Sequence, residues 1–484
     1  MAFDTTSPLS PTPIIKFGTD GWRGIIADDF TGANVRLVSL ATANYLKRPE
    51  IPGQMIAIVG YDNRSQSEYF AREAAAVLSA SGFKTILSNS SCSSPAVSRA
   101  CLAFEARGGI MITASHNPPA FNGLKIKMGY GGPALPSHIA EVEKELRLLI
   151  QSGQTNVSLE SGDYGLAEVT DLRPAYFAGL RAAVDIPKIA GAGYRIVADA
   201  MYGSGSGYLT SLLAPAGADV TEIRSERNPC FAGICPEPIP KNIEATVEAV
   251  RANRADVAVI IDGDADRIGA LDSLGNFVDS HRIFALVLRH MVEVRGLRGS
   301  VVKSFSSSTL IDKMCAKYDL PVHVVPIGFK NICEWMIREP VLMGGEESGG
   351  LGIAGYIPER DGPLFALLLL ETMAVRGQRL EDQIAELMNE FGNHEYDRID
   401  LHPDVEKMPK IAATLTSFHQ KEVAGFTVDH IDRTDGTKII FSDGSWLLLR
   451  ASGTESVVRV YAESSTRGQV NALLAAGKEV IEQQ

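Results

Sequence analysis

The sequence predicts an α/β protein of several domains: three similar mixed-sheet α/β units and a smaller C-terminal α+β unit, set around a central cleft. The first observation is a plan used three times, in which an apolar strand, a polar turn, an amphipathic helix and a second strand follow one another. Met55–Tyr61, the turn Asp62-Asn63-Arg64-Ser65, a helix through Ala80 and the strand Thr85–Leu87 make the first. Tyr194–Ala200, the Gly/Ser turn Gly203–Gly207, a helix over Tyr208–Leu213 and Val220–Ile223 make the second. Ser300–Ser304, the serines Ser306–Ser308, a helix to Lys317 and Val322–Val325 make the third. The second observation is that each unit continues into one more apolar strand ending in an unusual loop: Gly109–Ala120, Val257–Ile268 and Val341–Leu351. Open α/β sheets bind ligands at the carboxyl ends of their strands, so the three loops are expected to face one cleft. The third is a change of pattern after Glu395, where strands broken by Asp435-Gly436 and Asp443-Gly444 read as hairpins between a helix near Val405–Phe418 and a final helix over Arg467–Glu482. The expected boundaries are 1–160, 161–275, 276–389 and 390–484.

Composition narrows the function. A chain of 484 residues with 45% hydrophobic and 21% charged residues is globular and too long for one domain. A net charge of −12 leaves no basic excess for a nucleic-acid backbone. A small anionic substrate then requires Arg and Lys concentrated in a cleft. Of the six cysteines, Cys230 and Cys235 lie closest but lack the second pair of a zinc site. The stretch Met1–Pro13 has no basic start followed by an apolar run, and Leu364–Leu370 is far short of the roughly 20 residues that cross a bilayer. The expectation is a cytoplasmic protein, away from the membrane, and a monomer or weak homodimer.

The loops carry the chemistry. Ser115 follows the apolar strand Ile110–Ile112 and precedes Pro118 and Pro119. Alone it reads first as a turn serine, and as a nucleophile second. The neighbouring His116 alone reads as structural before catalytic. Lys125 and Lys127 alternate with Leu124 and Ile126, as on a strand with one polar face, and either fits a solvated edge. Asp262, Asp264 and Asp266 stand at alternate positions after the strand Val257–Ile261 and can converge on one cation. A calcium loop is excluded because Arg267 occupies the position of its glycine and Ser273 that of its glutamate; few protein ligands suit Mg²⁺. Glu346 to Gly350 offers acceptors for sugar hydroxyls or is a flexible acidic loop. Gly350–Gly355 matches a dinucleotide fingerprint only formally, because Pro358 and Gly362 prevent the helix it needs. In Arg450–Glu455 the arginine fork, the hydroxyls of Ser452 and Thr454 and the close approach allowed by Gly453 suit an anion, with Arg459 as a second fork; a plain hairpin turn is the alternative.

Together these motifs resemble the α-D-phosphohexomutase family, which includes phosphoglucomutase, phosphomannomutase and phosphoglucosamine mutase. The resemblance rests on Lys16–Gly24, the Ser115 loop, the Asp262 loop, Gly345–Gly350 and Arg450–Glu455, in family order along nearly the whole chain. It implies a phosphoserine at Ser115 whose phosphoryl oxygen completes a Mg²⁺ site of Ser115, Asp262, Asp264 and Asp266. It implies Arg23, His116, Lys125 and Arg267 near the transferring group, with Lys125 as a proton acceptor and Lys330, in Gly328-Phe329-Lys330, as a second acid/base. Glu346 and Ser348 would bind sugar hydroxyls, and Arg450, Ser452, Gly453, Thr454 and Arg459 the other phosphate. The implied reaction interconverts glucose 1-phosphate and glucose 6-phosphate through glucose 1,6-bisphosphate, which also serves as activator. Mannose or glucosamine phosphates are alternative substrates. Net synthesis of the bisphosphate is an alternative activity, and a non-catalytic sugar-phosphate sensor is the reading from another class. Gly350 and Tyr356 depart from many relatives and are expected in or near the sugar-reading loop. Glu346-Glu347 and Gly328-Phe329-Lys330 point toward glucose.

Overall fold

Each α/β unit carries its site loop at a reversal of strand direction. In the first, Ala106–Ile112 lies parallel to Gln54–Tyr61, and the chain returns from the loop antiparallel as Phe121–Met128. In the second, Val257–Ile261 is parallel to Arg195–Asp199 and antiparallel to Ile268–Leu271. In the third, Val341–Gly345 is parallel to Ser300–Ser304 and antiparallel to Leu351–Ile353. The sheets are therefore mixed: an antiparallel return needs only a loop, whereas a parallel one needs a crossover. The computed structural model describes residues 15–18, 20–451 and 457–483.

The first sheet runs in the order Trp22–Ile25, Phe121–Met128, Ala106–Ile112, Gln54–Tyr61, Lys84–Ser88, Glu168–Thr170. Its last strand lies past position 160, where the sequence placed a boundary. Three residues are too few to show a period, which hides this strand from pattern reading. The C-terminal unit is a six-stranded antiparallel sheet from Glu395–Leu401 to Glu422–Val423, backed by the helices Met408–Ser417 and Arg467–Glu482. Both Asp-Gly turns join antiparallel neighbours there, as expected.

The three α/β units share apolar packing. One cluster joins Val97 and Ala100 of the first, Val259 and Leu212 of the second, and Val301 and Met343 of the third. At its centre lies the helix Gly362–Arg376, whose Leu364–Leu370 run has no solvent exposure at any position. A helix apolar on every face belongs in an interior surrounded by other elements. Among the described residues no helix is long and apolar enough to cross a membrane.

Candidate active site

The Ser115 loop is held in a conformation it would not choose alone. Ser115 has φ +52, in the left-handed region that costs a non-glycine residue about 1–3 kcal/mol. Its N–H donates to Thr113 Oγ1 at 2.8 Å, and Thr113 donates to Asp62 Oδ2 at 2.6 Å. The fully buried Arg64 donates to the carbonyls of Ser115 (2.5 Å), Asn117 (2.6 Å), Pro118 (2.9 Å) and Phe121 (3.1 Å). A guanidinium fork is the side chain that can serve so many acceptors at once. Ser115 Oγ then lies 3.0 Å from Asp262 Oδ2, across the boundary between the first two units, and 3.5 Å from His116 Nδ1.

Asp262, Asp264 and Asp266 are fully buried, with one oxygen from each within 4.8 Å of the others. Each is anchored through at least one oxygen. Asp262 Oδ1 accepts from the backbone N–H of Asp266 and Arg267, at 2.9 and 3.1 Å. Asp264 Oδ2 accepts from Ser94 Oγ (2.5 Å) and Lys125 Nζ (2.8 Å). Asp266 Oδ2 accepts from Lys125 Nζ (2.9 Å) and Arg360 Nη2 (2.7 Å). Oδ1 of Asp264 and Oδ1 of Asp266 are buried without a hydrogen-bond partner. Burial and the charges of Asp264 and Asp266 push Asp262 well above the usual carboxylate range. Burial acts the same way on Asp264, but Lys125 and Ser94 outweigh it and hold that group low. Orphaned hard oxygens around a point short of positive charge fit a small divalent cation.

Lys125 is no solvated edge residue. Its ammonium is buried between Asp20 (2.7 Å), Asp264 and Asp266. Burial lowers its pKa, yet these three carboxylates raise it well above the ordinary value. The geometry thus sets Lys125 as a counter-cation among three carboxylates. Lys127 is likewise buried, paired with Glu359 at 2.5 Å. His116 is shifted the other way: burial, then Arg267, Arg23, Arg398 and Arg459, hold its pKa well below the usual value, so it is neutral beside Ser115.

A cleft of about 600 Å³ opens above this floor. Its walls include Arg23, His116, Arg267, Lys330, Glu346, Ser348, Arg450 and Arg459, so the structure brings these expected residues together. Eight Arg and Lys line it against five Asp and Glu, a local cationic excess in an acidic protein. Arg23 donates to Asn117 Oδ1 at 2.5 Å, and Arg450 pairs with Asp435 at 2.8 Å. Burial pushes Glu346 up to about 7 even though Arg360 works against the shift; the carboxylate accepts from the Gly328 N–H at 3.0 Å. Burial lowers the Lys330 pKa. Ser452, Gly453 and Thr454 lie outside the described residues.

Tyr356 does not stand on the cleft wall. Its ring lies under Arg99, 5.9 Å from the guanidinium carbon, and beside Gly179, between the first two units. Gly350 is packed behind Arg360, where an added Cβ would come within 2.2 Å of Cδ. Gly350 closes the loop, its carbonyl accepting from the Glu346 N–H at 3.0 Å, and neither residue lines the cleft.

Several site residues escaped the sequence. Asp20 and Arg360 connect with Lys125, Asp266 and Glu346 in one buried network: Arg360 reaches Asp20 at 2.5 Å and Glu346 at 3.3 Å. Both lie in stretches that stood out, Lys16–Gly24 and Pro358–Gly362, but only tertiary structure joins them. Ser94, Glu237 and Arg398 gave no local signal at all.

The chain matches the family described as phosphoglucomutase/phosphomannomutase: alpha/beta/alpha domain I over residues 15–150, domain II over 174–275, domain III over 279–391 and the C-terminal domain over 397–479. It is 29% identical to a phosphoglucomutase/phosphomannomutase of Thermococcus kodakarensis, over 96% of this chain and 98% of the relative. A phosphoglucosamine/phosphogalactosamine mutase of Sulfurisphaera tokodaii is 28% identical, over 96% and 99%. A crystal structure from Thermus thermophilus, provisionally described as a phosphomannomutase, superposes with TM-score 0.85 and 33% identity, covering 97% of this chain and 99% of its own. A serine beside a three-aspartate cation site, beneath a cationic cleft built by four units in this order, places the chain in the α-D-phosphohexomutase family, as an intramolecular phosphotransferase of the isomerase class.

Proposed function

We propose that the protein interconverts glucose 1-phosphate and glucose 6-phosphate through a phosphoserine at Ser115, with glucose 1,6-bisphosphate as the intermediate. The observation that carries this is the 3.0 Å approach of Ser115 Oγ to Asp262 at the floor of a cationic cleft. In the first half-reaction a hydroxyl of the hexose monophosphate attacks the phosphorus of phosphoserine. A new P–O bond forms, the bond to Ser115 Oγ breaks, and the proton of the attacking hydroxyl ends on Oγ. His116, neutral and 3.5 Å from that oxygen, is suited to relay it. The bisphosphate then turns over and the other phosphoryl group returns to Ser115 by the reverse steps. Such transfers need positioning and charge neutralisation above all. Arg23 and Arg267 neutralise the moving group, and Arg450 with Arg459 holds the phosphate at rest. Asp262, Asp264 and Asp266 would hold Mg²⁺, which when bound supplies charge stabilisation at the transferring phosphoryl oxygens. Glu346, oriented by Gly328 and Arg360, offers the sugar hydroxyls an acceptor.

A second reading, glucosamine phosphates, is favoured by the name of the Sulfurisphaera relative. Parallel assays with the 1-phosphates of glucose, mannose and glucosamine, with and without added glucose 1,6-bisphosphate, decide between them. The expected result is the highest kcat/KM on the glucose compound and phosphate on Ser115 by mass spectrometry. A higher kcat/KM on glucosamine 1-phosphate transfers the assignment to it. No turnover on any of the three, with Ser115 unmodified, overturns both.

A further inference from the structure

Glu237 is a buried carboxylate on the cleft wall that the transfer chemistry leaves unused. Its Oε1 lies 3.3 Å from Arg267 Nη1 and 3.8 Å from Arg398 Nη2. Arg267 sits next to the metal loop. Arg398 comes from Glu395–Leu401, the edge strand of the C-terminal unit, where its Nε meets Asp400 at 3.0 Å. All four side chains line the cleft. One carboxylate oxygen therefore accepts from Arg267 and lies within ion-pair range of Arg398, a guanidinium of another unit, in the space a phosphate must enter.

The segment bearing Glu237 is rigid. Prolines stand at 236, 238 and 240, and Pro236 O accepts from the N–H of Gly263, inside the aspartate loop, at 3.1 Å. A shift of this backbone would disturb the aspartate loop, so a change of partner at Glu237 is left to the side chains.

We infer that Glu237 is an internal stand-in for phosphate: it holds Arg267 and Arg398 together while the cleft is free, and a substrate phosphoryl group displaces it from Arg398. The exchange makes Arg398 a binding residue for the phosphate in transit across the cleft and Glu237 a positioning residue that weakens the hold enough for the bisphosphate to turn. This rests on the reading of the cleft as a sugar-phosphate site.

The test is competition for inorganic phosphate, measured by calorimetry on the Mg²⁺-loaded protein at matched Ser115 phosphorylation. Glu237→Gln keeps the shape and removes the competing charge. It should tighten phosphate about three- to fivefold, the scale of a partly exposed ion pair. Arg398→Gln should weaken phosphate by a similar factor, and adding Glu237→Gln to it should restore little. With hexose phosphate, Glu237→Gln should lower KM and kcat together, and Glu237→Asp should recover both. Unchanged or weaker phosphate binding in Glu237→Gln overturns the inference, as does equal tightening with and without Arg398. Thermal unfolding of each variant separates a folding defect, and if Glu237→Gln does not fold, Glu237→Asp against Arg398→Gln carries the comparison. Because phosphate binding is read without turnover, a wrong sugar assignment would show as absent activity in the unsubstituted enzyme and would leave the phosphate result standing.

Discussion

Gly263 faces the carbonyl oxygen of Ser115 so closely that a Cβ added to it would lie 2.6 Å from that oxygen. The close approach is what lets the aspartate loop meet the serine loop. Gly263→Ala must push the two apart, since the atom it meets is backbone and cannot swing away. The expected cost is about 1–3 kcal/mol of stability. A fall of at least tenfold in kcat should accompany it, with a higher Mg²⁺ requirement, because small misplacement at a transfer centre is expensive in rate. Unfolding midpoints and Mg²⁺ titrations of activity check both.

Arg64 sets the shape of the serine loop through four carbonyls. Arg64→Lys keeps the charge but leaves buried acceptors unsatisfied, at about 2–4 kcal/mol. A drop in denaturation midpoint with loss of Ser115 phosphorylation is the expected pair of results. An unchanged midpoint would show that the ammonium serves the loop as well as the fork does.

The elements of the fold were visible in the sequence where periods ran long, as in Ser300–Ser304 and Arg467–Glu482, which the structure reproduces to the residue. The three-residue strand Glu168–Thr170 was hidden because it is too short to have a period. At the site, the aspartates were legible because three acids at alternate positions have few other uses. Lys127, taken alone, read as a solvated edge because alternation along a strand does not reveal whether the second face meets water or another domain. Arg360, Asp20 and Glu237 were beyond reach for a related reason: their partners are distant in sequence, some in the same unit and some in another.

Tyr356 lies off the cleft, whereas Ser348 lines it. Tyr356→His should therefore leave the ratio of kcat/KM between glucose and glucosamine 1-phosphates within about twofold, while Ser348→Ala, which removes a hydroxyl from the cleft wall, should lower kcat/KM by about tenfold or more on the preferred sugar. Side-by-side kinetics on the two compounds test it.

Ser94 and Lys125 fix one oxygen of Asp264 and leave the other for the cation. Asp264→Asn should abolish turnover at ordinary Mg²⁺. Ser94→Ala, which loses only the orienting bond, should raise the Mg²⁺ concentration for half-maximal activity about 10- to 100-fold. Equal Mg²⁺ dependence of Ser94→Ala and the unsubstituted enzyme would remove Ser94 from the site.

Glu371 gives the protein an acid-sensitive seam between the second and third units. It accepts from the Asp185 N–H (2.9 Å), His290 Nε2 (2.9 Å) and Arg295 Nη2 (2.7 Å). Burial raises its pKa, but the hydrogen bonds from His290 and Arg295 prevail and bring it from 4.5 down to about 2. A carboxyl depressed in the folded state binds its proton more readily when unfolded, so its stabilisation is complete above the unfolded pKa and is lost as pH falls through the folded one. The window is therefore pH 4.5 to about 2, and the stake is about 2–3 kcal/mol. Glu371→Gln should be less stable than the unsubstituted protein at pH 7, and the gap should close as pH falls through that window. Urea unfolding of both proteins at a series of pH values measures the gap directly, and a gap that stays constant down to pH 2 would mean that the carboxylate charge at Glu371 contributes nothing to the seam.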